Sequence, residues 1–227
     1  MGESAVGPLT GAAAAAPTAT GTPESAGLLA GRDFVEVRFG GSGGQGVILM
    51  GVILALAATR DHRHVIQTQS YGPEARGGYS RSDVIISNRP VDYPQLLGID
   101  LLVALSAEAG HRYAGMLRRS GVFIFDSDEM PDPQHVSCPR YGVPFTRLAQ
   151  EVTGRSQTAN ILTLGAVVGL TGVVSAASLE QSVLGMVPAG TEEPNLAALH
   201  RGLSLQPEEW QVIAPAPSRE EQGSSRV

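Results

Sequence analysis

Residues 35–58 read Val35-Glu36-Val37-Arg38-Phe39, then Gly40-Gly41-Ser42-Gly43-Gly44-Gln45-Gly46, then Val47-Ile48-Leu49-Met50-Gly51-Val52-Ile53-Leu54-Ala55-Leu56-Ala57-Ala58. The first part is a short apolar strand. The last is an apolar run broken only by Gly51, which reads as a helix, so the whole is strand, glycine turn, helix. Five glycines in the seven residues 40–46 let the backbone turn sharply, take positive φ and approach another molecule without intervening side chains. The following helix begins with unpaired N–H groups and the positive end of its dipole, which together suit an anion such as a phosphate.

Gly41-Ser42-Gly43-Gly44-Gln45-Gly46 fits the spacing GxGxxG, a pattern that is weak by itself. A dinucleotide site also needs an Asp or Glu at the end of the second strand to hold the ribose. Here that strand reads Val65-Ile66-Gln67-Thr68-Gln69-Ser70 and carries no acid, and Asp61 precedes it. Tight packing of the helix on its sheet or on a neighbouring subunit explains the glycines equally well.

With 227 residues, 42% of them hydrophobic, the chain can bury one full core, and one domain is expected. A net charge of -6 argues against nucleic acid as the main partner. All 16 basic residues are Arg, so no Schiff-base lysine, P-loop lysine or lysine general base is available. The single cysteine, Cys138, excludes a disulfide framework within the chain and an iron–sulfur cluster held by this chain alone.

Residues 1–31 are rich in Ala, Gly, Thr, Ser and Pro, and lack the basic start and long apolar core of a secretory signal. They predict a disordered N-terminal extension, and residues 207–227 predict a flexible C-terminal tail. No stretch has the apolar length of a membrane span, so a cytoplasmic protein is expected. The domain between, 32–206, is patterned as α/β. Strands are expected at Val65–Ser70, Tyr79–Ser87, Asp100–Ser106, Gly121–Asp126 and His135–Tyr141. The second and third are joined by too few residues for a helical crossover, which makes them antiparallel and the sheet mixed. Helices are expected at Ala107–Arg118, after Pro144 to about Val152, and then in succession at Ala159–Leu170, Ser175–Met186 and Pro194–Arg201, with Ser175 as an N-cap. Gly165 and Gly169, four apart, are read as ordinary core positions rather than a helix-crossing point.

Tyr71-Gly72-Pro73-Glu74-Ala75-Arg76-Gly77-Gly78 is the second informative stretch. Its Gly-Pro and Gly-Gly pairs force a defined loop, and Glu74 and Arg76 give it charge, so it is either a solvated connection or a platform for a partner that Tyr79 and Arg81 extend. His62 and His64 form an HxH pair without a third ligand, and His111, His135 and His200 are isolated. Asp126, Asp128 and Glu129 have the composition of a Mg²⁺ site but are explained more simply by helix capping and solvation. No metal site and no catalytic residue is assigned.

Taken in order, Arg38–Gly46, Gln67–Gly78, Ser82–Ser87, Asp92-Tyr93-Pro94, Asp100–Leu105, Ala159–Gly165 and Asn195 with Ala198 and Gly202 resemble the gamma subunit of 2-oxoacid:ferredoxin oxidoreductases. The similarity is greatest to the 2-oxoglutarate branch, within the pyruvate/ketoisovalerate oxidoreductase catalytic domain family, and covers about Asp33 to Leu205. It implies a subunit of an enzyme that oxidatively decarboxylates a 2-oxoacid to an acyl-CoA and reduces ferredoxin. In that family, alpha and beta subunits hold thiamine diphosphate with Mg²⁺, and a ferredoxin-like delta subunit or its equivalent carries iron–sulfur clusters. The gamma subunit lies near the place where coenzyme A is received.

The fold expected is a three-layer α/β sandwich with a mostly parallel, partly mixed sheet and a helical C-terminal part. The glycine turn, Gly41, Ser42, Gly43, Gly44, Gln45 and Gly46, is the candidate contact to a coenzyme A phosphate or to a subunit junction. Tyr71, Glu74, Arg76, Gly77 and Gly78 are the candidate interface, and this chain alone is expected to bind no cofactor. The alternatives are a free-standing dinucleotide-dependent oxidoreductase, testable by titration with NADH, and a non-enzymatic nucleotide-binding scaffold, which would purify without thiamine-bearing partners.

Overall fold

The leading strand runs further than its apolar residues indicate: β1 spans Phe34–Ser42, because Gly40, Gly41 and Ser42 continue the ladder, opposite Arg81, Ser80 and Tyr79. The structure is a computed structural model, and it describes residues 27–71, 78–133 and 135–215. After β1 come α1 (Val47–Arg60), β2 (His64–Tyr71), β3 (Tyr79–Ser87), β4 (Ile99–Ala104), α2 (Ala107–Tyr113), β5 (Leu117–Asp126) and β6 (Arg140–Val143). The chain continues through α3 (Phe145–Thr153), α4 (Ala159–Thr171), α5 (Ala176–Leu184), α6 (Glu192–Leu203) and β7 (Gln211–Ile213). One seven-stranded sheet has the order β2-β3-β1-β4-β5-β6-β7. Strands β1, β4, β5 and β6 are mutually parallel, whereas β3 and β7 run against their neighbours. The sheet is mixed, as the short β2–β3 connection requires.

Alternation along the central strands sorts side chains onto two faces. Val37, Phe39, Leu101 and Val103 join α1, α3, α4, α5 and α6 in the larger core. Leu102, Ala104, Phe123 and Phe125 join α2 in the smaller one. The third layer is therefore thin, a single short helix with its flanking loops. Helix α4 is buried nearly all round, as its largely apolar sequence demands. Gly165 and Gly169 are its crossing point: a Cβ at Gly165 would collide with the Leu199 carbonyl oxygen, and one at Gly202 with that of Leu162. Their role is close helix approach rather than filling of an ordinary core position.

Four further expectations need correction. Helix α2 stops at Tyr113, and Arg118 belongs to β5, where acids recruit it from the neighbouring strands. The strand expected over His135–Tyr141 is β6 at Arg140–Val143, since it forms only where residues pair with Phe123–Asp126. The domain does not end at 206, because β7 extends the sheet along β6 and Trp210 packs edge-on to Tyr141. Nor does it begin at 32: Leu29 is 2% exposed in the core, and its N–H donates to the Thr171 carbonyl. Residues 1–26 and 216–227, most of the two expected tails, lie outside the described residues.

At the start of the sheet, Glu36 and Asp100 are buried. Arg118 bridges both, at 2.9 Å to Asp100, and Arg32 reaches Asp100 at 3.4 Å. Glu36 also accepts from the Leu97 N–H at 2.6 Å, and Asp100 from the Glu36 N–H at 2.9 Å. Buried carboxylates survive only when paired and hydrogen-bonded, and here both conditions are met.

Candidate functional site

Helix α1 leaves β1 on one face and α2 leaves β4 on the other, so the crevice between the ends of β1 and β4 is where an open α/β sheet presents a site. The turn that enters it is Gly43–Gly46. Of its neighbours, Gly40 is needed for packing, since a Cβ there would press on Ala109 and Tyr113 of α2. Gly41 is likewise closed, by Gln45, Val47 and Leu105. Gly44 and Gly46 have φ of 92° and 72°, left-handed values that side chains disfavour. Beyond Gly44 there is open space, while Gly46 lies against the Asn160 amide.

Gln45 locks the turn. Its Oε1 accepts from the Ser42 N–H at 2.6 Å, and its Nε2 donates to the Leu105 carbonyl at 2.9 Å, tying the end of β1 to the end of β4. Helix α1 starts at Gly46 with no side-chain cap and no acid in its first turn, which leaves its positive end uncompensated. Helix α4 also has no N-cap side-chain bond and no acid in its first turn, although its Ile161 N–H donates to the Asn160 Oδ1 at 2.9 Å and its Ala159 N–H to the Ser156 carbonyl. Both starts face one cavity of about 360 Å³, lined by Gly44, Gln45, Leu105, Thr146, Ala159 and Asn160 among others, with Glu129 its single acid among the described residues. Two helix dipoles and an amide donor in one concave space can receive an anion.

The glycine turn and the second candidate segment meet directly, because the Gly43 N–H donates to the Gly78 carbonyl at 2.8 Å. Tyr71 closes β2 through its backbone. Glu74, Arg76 and Gly77 lie outside the described residues. Asn160, Thr146 and Ala159 of the cavity wall were not expected from spacing, since nothing in sequence ties them to residues 43–46. The acid-free starts of α1 and α4 were the available signal.

The remaining candidates take structural places. Asp61 accepts from the Ser175 N–H and from the Ser175 and Ser178 hydroxyls, so it anchors the start of α5 and is not offered to a ribose. Ser175 is the N-cap of that helix, as expected. Asp126 accepts from the Asp128 N–H at 3.0 Å and from Thr146 at 3.3 Å, standing in for the cap that α3 lacks. Burial pushes its carboxyl above the usual range despite those bonds. His62 sits at φ 59° in the turn before β2, and His64 opens that strand. Among the described residues no three His, Cys, Asp or Glu side chains are grouped to hold a metal, and no helix is long and apolar enough to cross a membrane.

Known proteins share this sequence and fold. The sequence profile of the pyruvate ferredoxin/flavodoxin oxidoreductase family matches residues 36–205. The chain is 46% identical over 176 residues to the 2-oxoglutarate synthase subunit KorC of Methanocaldococcus jannaschii, covering 75% of this chain and 92% of that one. It is 42% identical over 177 residues to the KorC subunit of Methanothermobacter thermautotrophicus, covering 75% and 94%. The crystal structure of a keto/oxoacid ferredoxin oxidoreductase gamma subunit from Geobacter sulfurreducens superposes with a TM-score of 0.71 at 41% identity, covering 78% of this chain and 99% of that one. The chain belongs to the pyruvate ferredoxin/flavodoxin oxidoreductase family, as a gamma-type subunit of its oxidoreductases.

Proposed function

We propose that this subunit serves a 2-oxoglutarate:ferredoxin oxidoreductase, and that the cavity between the starts of α1 and α4 holds a phosphate of coenzyme A. The observation that supports the reading most strongly is the convergence of two acid-free helix starts and the Asn160 Nδ2 donor on one space that Gly44 leaves open. The substrate follows the KorC relatives, named as subunits of 2-oxoglutarate synthase. Thiamine diphosphate, its Mg²⁺ and the iron–sulfur clusters belong to the partner subunits in this reading. The oxidative decarboxylation takes place there, and this chain positions the acyl acceptor. The 71–78 loop, tethered at Gly78 to the glycine turn, docks the thiamine-bearing alpha and beta subunits. Ferredoxin takes the electrons from the ferredoxin-like delta subunit.

Asn160→Asp tests the phosphate role with almost no change of shape. A carboxylate in place of the amide repels phosphate, and the KM for coenzyme A in the assembled complex should rise about tenfold, the equivalent of one lost charge-assisted hydrogen bond. The KM for 2-oxoglutarate should not move. An unchanged coenzyme A KM overturns the assignment of this cavity. Arg76→Ala should weaken recovery of the alpha and beta subunits on a tagged chain, and undiminished recovery rejects the loop as the dock.

A further inference from the structure

On the other side of the sheet, under the thin α2 layer, lies a second and larger cavity of about 570 Å³. Arg38, Arg81, Arg112 and Tyr113 line it, with Asp83 as the only acid among the described residues. Arg38 is spoken for: its Nε and Nη2 donate to the two Asp83 oxygens, both at 2.6 Å, in a bidentate pair buried from solvent. That pair is neutral. Among the described residues no other acid lines the cavity to match the charges of Arg81 and Arg112.

Each is positioned for another use. Arg81 projects from β3 beside Gly40 of β1 and is half-buried, with no acid paired to it among the described residues. Arg112 stacks on the Tyr79 ring, 4.0 Å from its centroid, and has one exposed contact along its own helix, 3.2 Å to Glu108. An exposed pair at that spacing is worth about 0.3–0.5 kcal/mol and does not hold the guanidinium back from a better partner. Tyr113 is 4% exposed, with its ring clamped under Arg38 at 4.5 Å, yet its hydroxyl is buried with no hydrogen-bond partner among the described residues. A buried hydroxyl is ordinarily partnered, and a missing partner calls for an explanation.

One ligand class answers the unmatched charge and the unused donor together. We propose that this cavity is a second anion site, distinct from the one at the glycine turn, which takes a phosphoryl group on Arg81, Arg112 and the Tyr113 hydroxyl. Two guanidinium forks and a phenol donor match a doubly charged tetrahedral oxyanion. Pro94, Leu96 and Met116 give the same cavity an apolar wall. A phosphate monoester with an apolar body uses both surfaces, whereas free phosphate uses only the polar one.

Inorganic phosphate and phenyl phosphate titrated into the full chain, followed by phosphorus NMR and by thermal shift, decide the matter. Both are expected to bind saturably. Phenyl phosphate binding the tighter identifies an ester as the ligand, and equal affinities identify free phosphate. Arg81→Gln should weaken binding by about tenfold or more, the loss of a charge-assisted hydrogen bond. Tyr113→Phe should bind more weakly too while being no less stable without ligand, since it deletes only the unpartnered hydroxyl. Asn160→Asp, on the opposite side of the sheet, should leave the Arg81-dependent binding intact, so failure here and failure of the coenzyme A reading are separable. Absence of saturable binding, or binding that both Arg81→Gln and Tyr113→Phe leave unchanged, overturns the proposal.

Discussion

Two charged centres lie on one face of β1, two residues apart, and they are built to opposite ends. Around Glu36, two acids face two bases: Arg118 and Arg32 answer Glu36 and Asp100, and backbone N–H groups fill the remaining acceptor sites. Around Arg38, among the described residues, three guanidinium groups face one acid, and a phenol donor is left over. The first centre is neutral and complete, a clamp that pins β1, β4 and β5 together where the sheet begins. The second is positive and incomplete. Chain that is buried for stability closes its polar bookkeeping, so an open balance under a cavity points to something that arrives from outside.

Breaking the closed centre should cost most. Arg118→Ala strands the buried Glu36 carboxylate and leaves Asp100 with only the longer Arg32 contact, and a loss of about 3 kcal/mol in denaturant unfolding is expected, the low end for a broken buried pair because Arg118 itself is partly exposed. A loss below about 1 kcal/mol, the value of a surface pair, would show that water reaches Glu36 and Asp100 and that the centre is not closed. Arg38→Met should come close to that, about 3 kcal/mol, since it strands the buried Asp83 while relief of crowding among like charges keeps the loss at the low end. Adding Asp83→Leu should restore most of that loss. If the double variant is worse than the single one, the pair contributes more than its own neutrality.

Much of this could be read from the chain, and the rest could not for definite reasons. The strand–glycine–helix start, the antiparallel β2–β3 pair and the Ser175 cap are local patterns, and each formed where its residues indicate. Arg118 was misread as the end of a helix because a basic residue after an amphipathic run looks like a dipole partner. The acids that claim it are 18 and 82 positions away in sequence. Gly165 and Gly202 become a crossing point only once α4 and α6 are side by side. The glycine run is legible as a turn but not sorted: Gly40 and Gly41 pack, and of the turn only Gly44 and Gln45 line the cavity. The three arginines of the second centre are scattered from 38 to 112 and converge only where β1, β3 and α2 come together.

A third carboxylate shows what closure is worth where water is near. Burial alone would raise Asp61, but hydrogen bonds from Ser178 and Ser175 prevail and hold its carboxyl below the ordinary value of 3.8. A depressed carboxyl adds stability that is complete above pH 3.8 and fades as pH falls through the lower folded-state value. Asp61→Asn should therefore lose about 1 kcal/mol near neutrality, the scale of a helix cap. The gap between variant and wild type should narrow on acidification below pH 3.8. A gap that widens instead would mean that the charged form is not the anchoring one.

The smallest effect tests whether openness on the α2 side is local to the arginine cavity or general. Cys138 lies in the same thin layer, packed with Phe125, Met130 and Val136, and is fully buried. Burial pushes its thiol up to about 11, outweighing the pull of Arg140, so the reactive thiolate is scarce at neutral pH. A thiol reagent should label the native chain only at the rate of unfolding, with full labelling in denaturant and no change in activity beforehand. Fast labelling of the folded protein would mean that the whole layer breathes. The unmatched charge of Arg81 and Arg112 would then belong to a loosely packed side of the molecule, and the contrast between the two centres of β1 would lose its force.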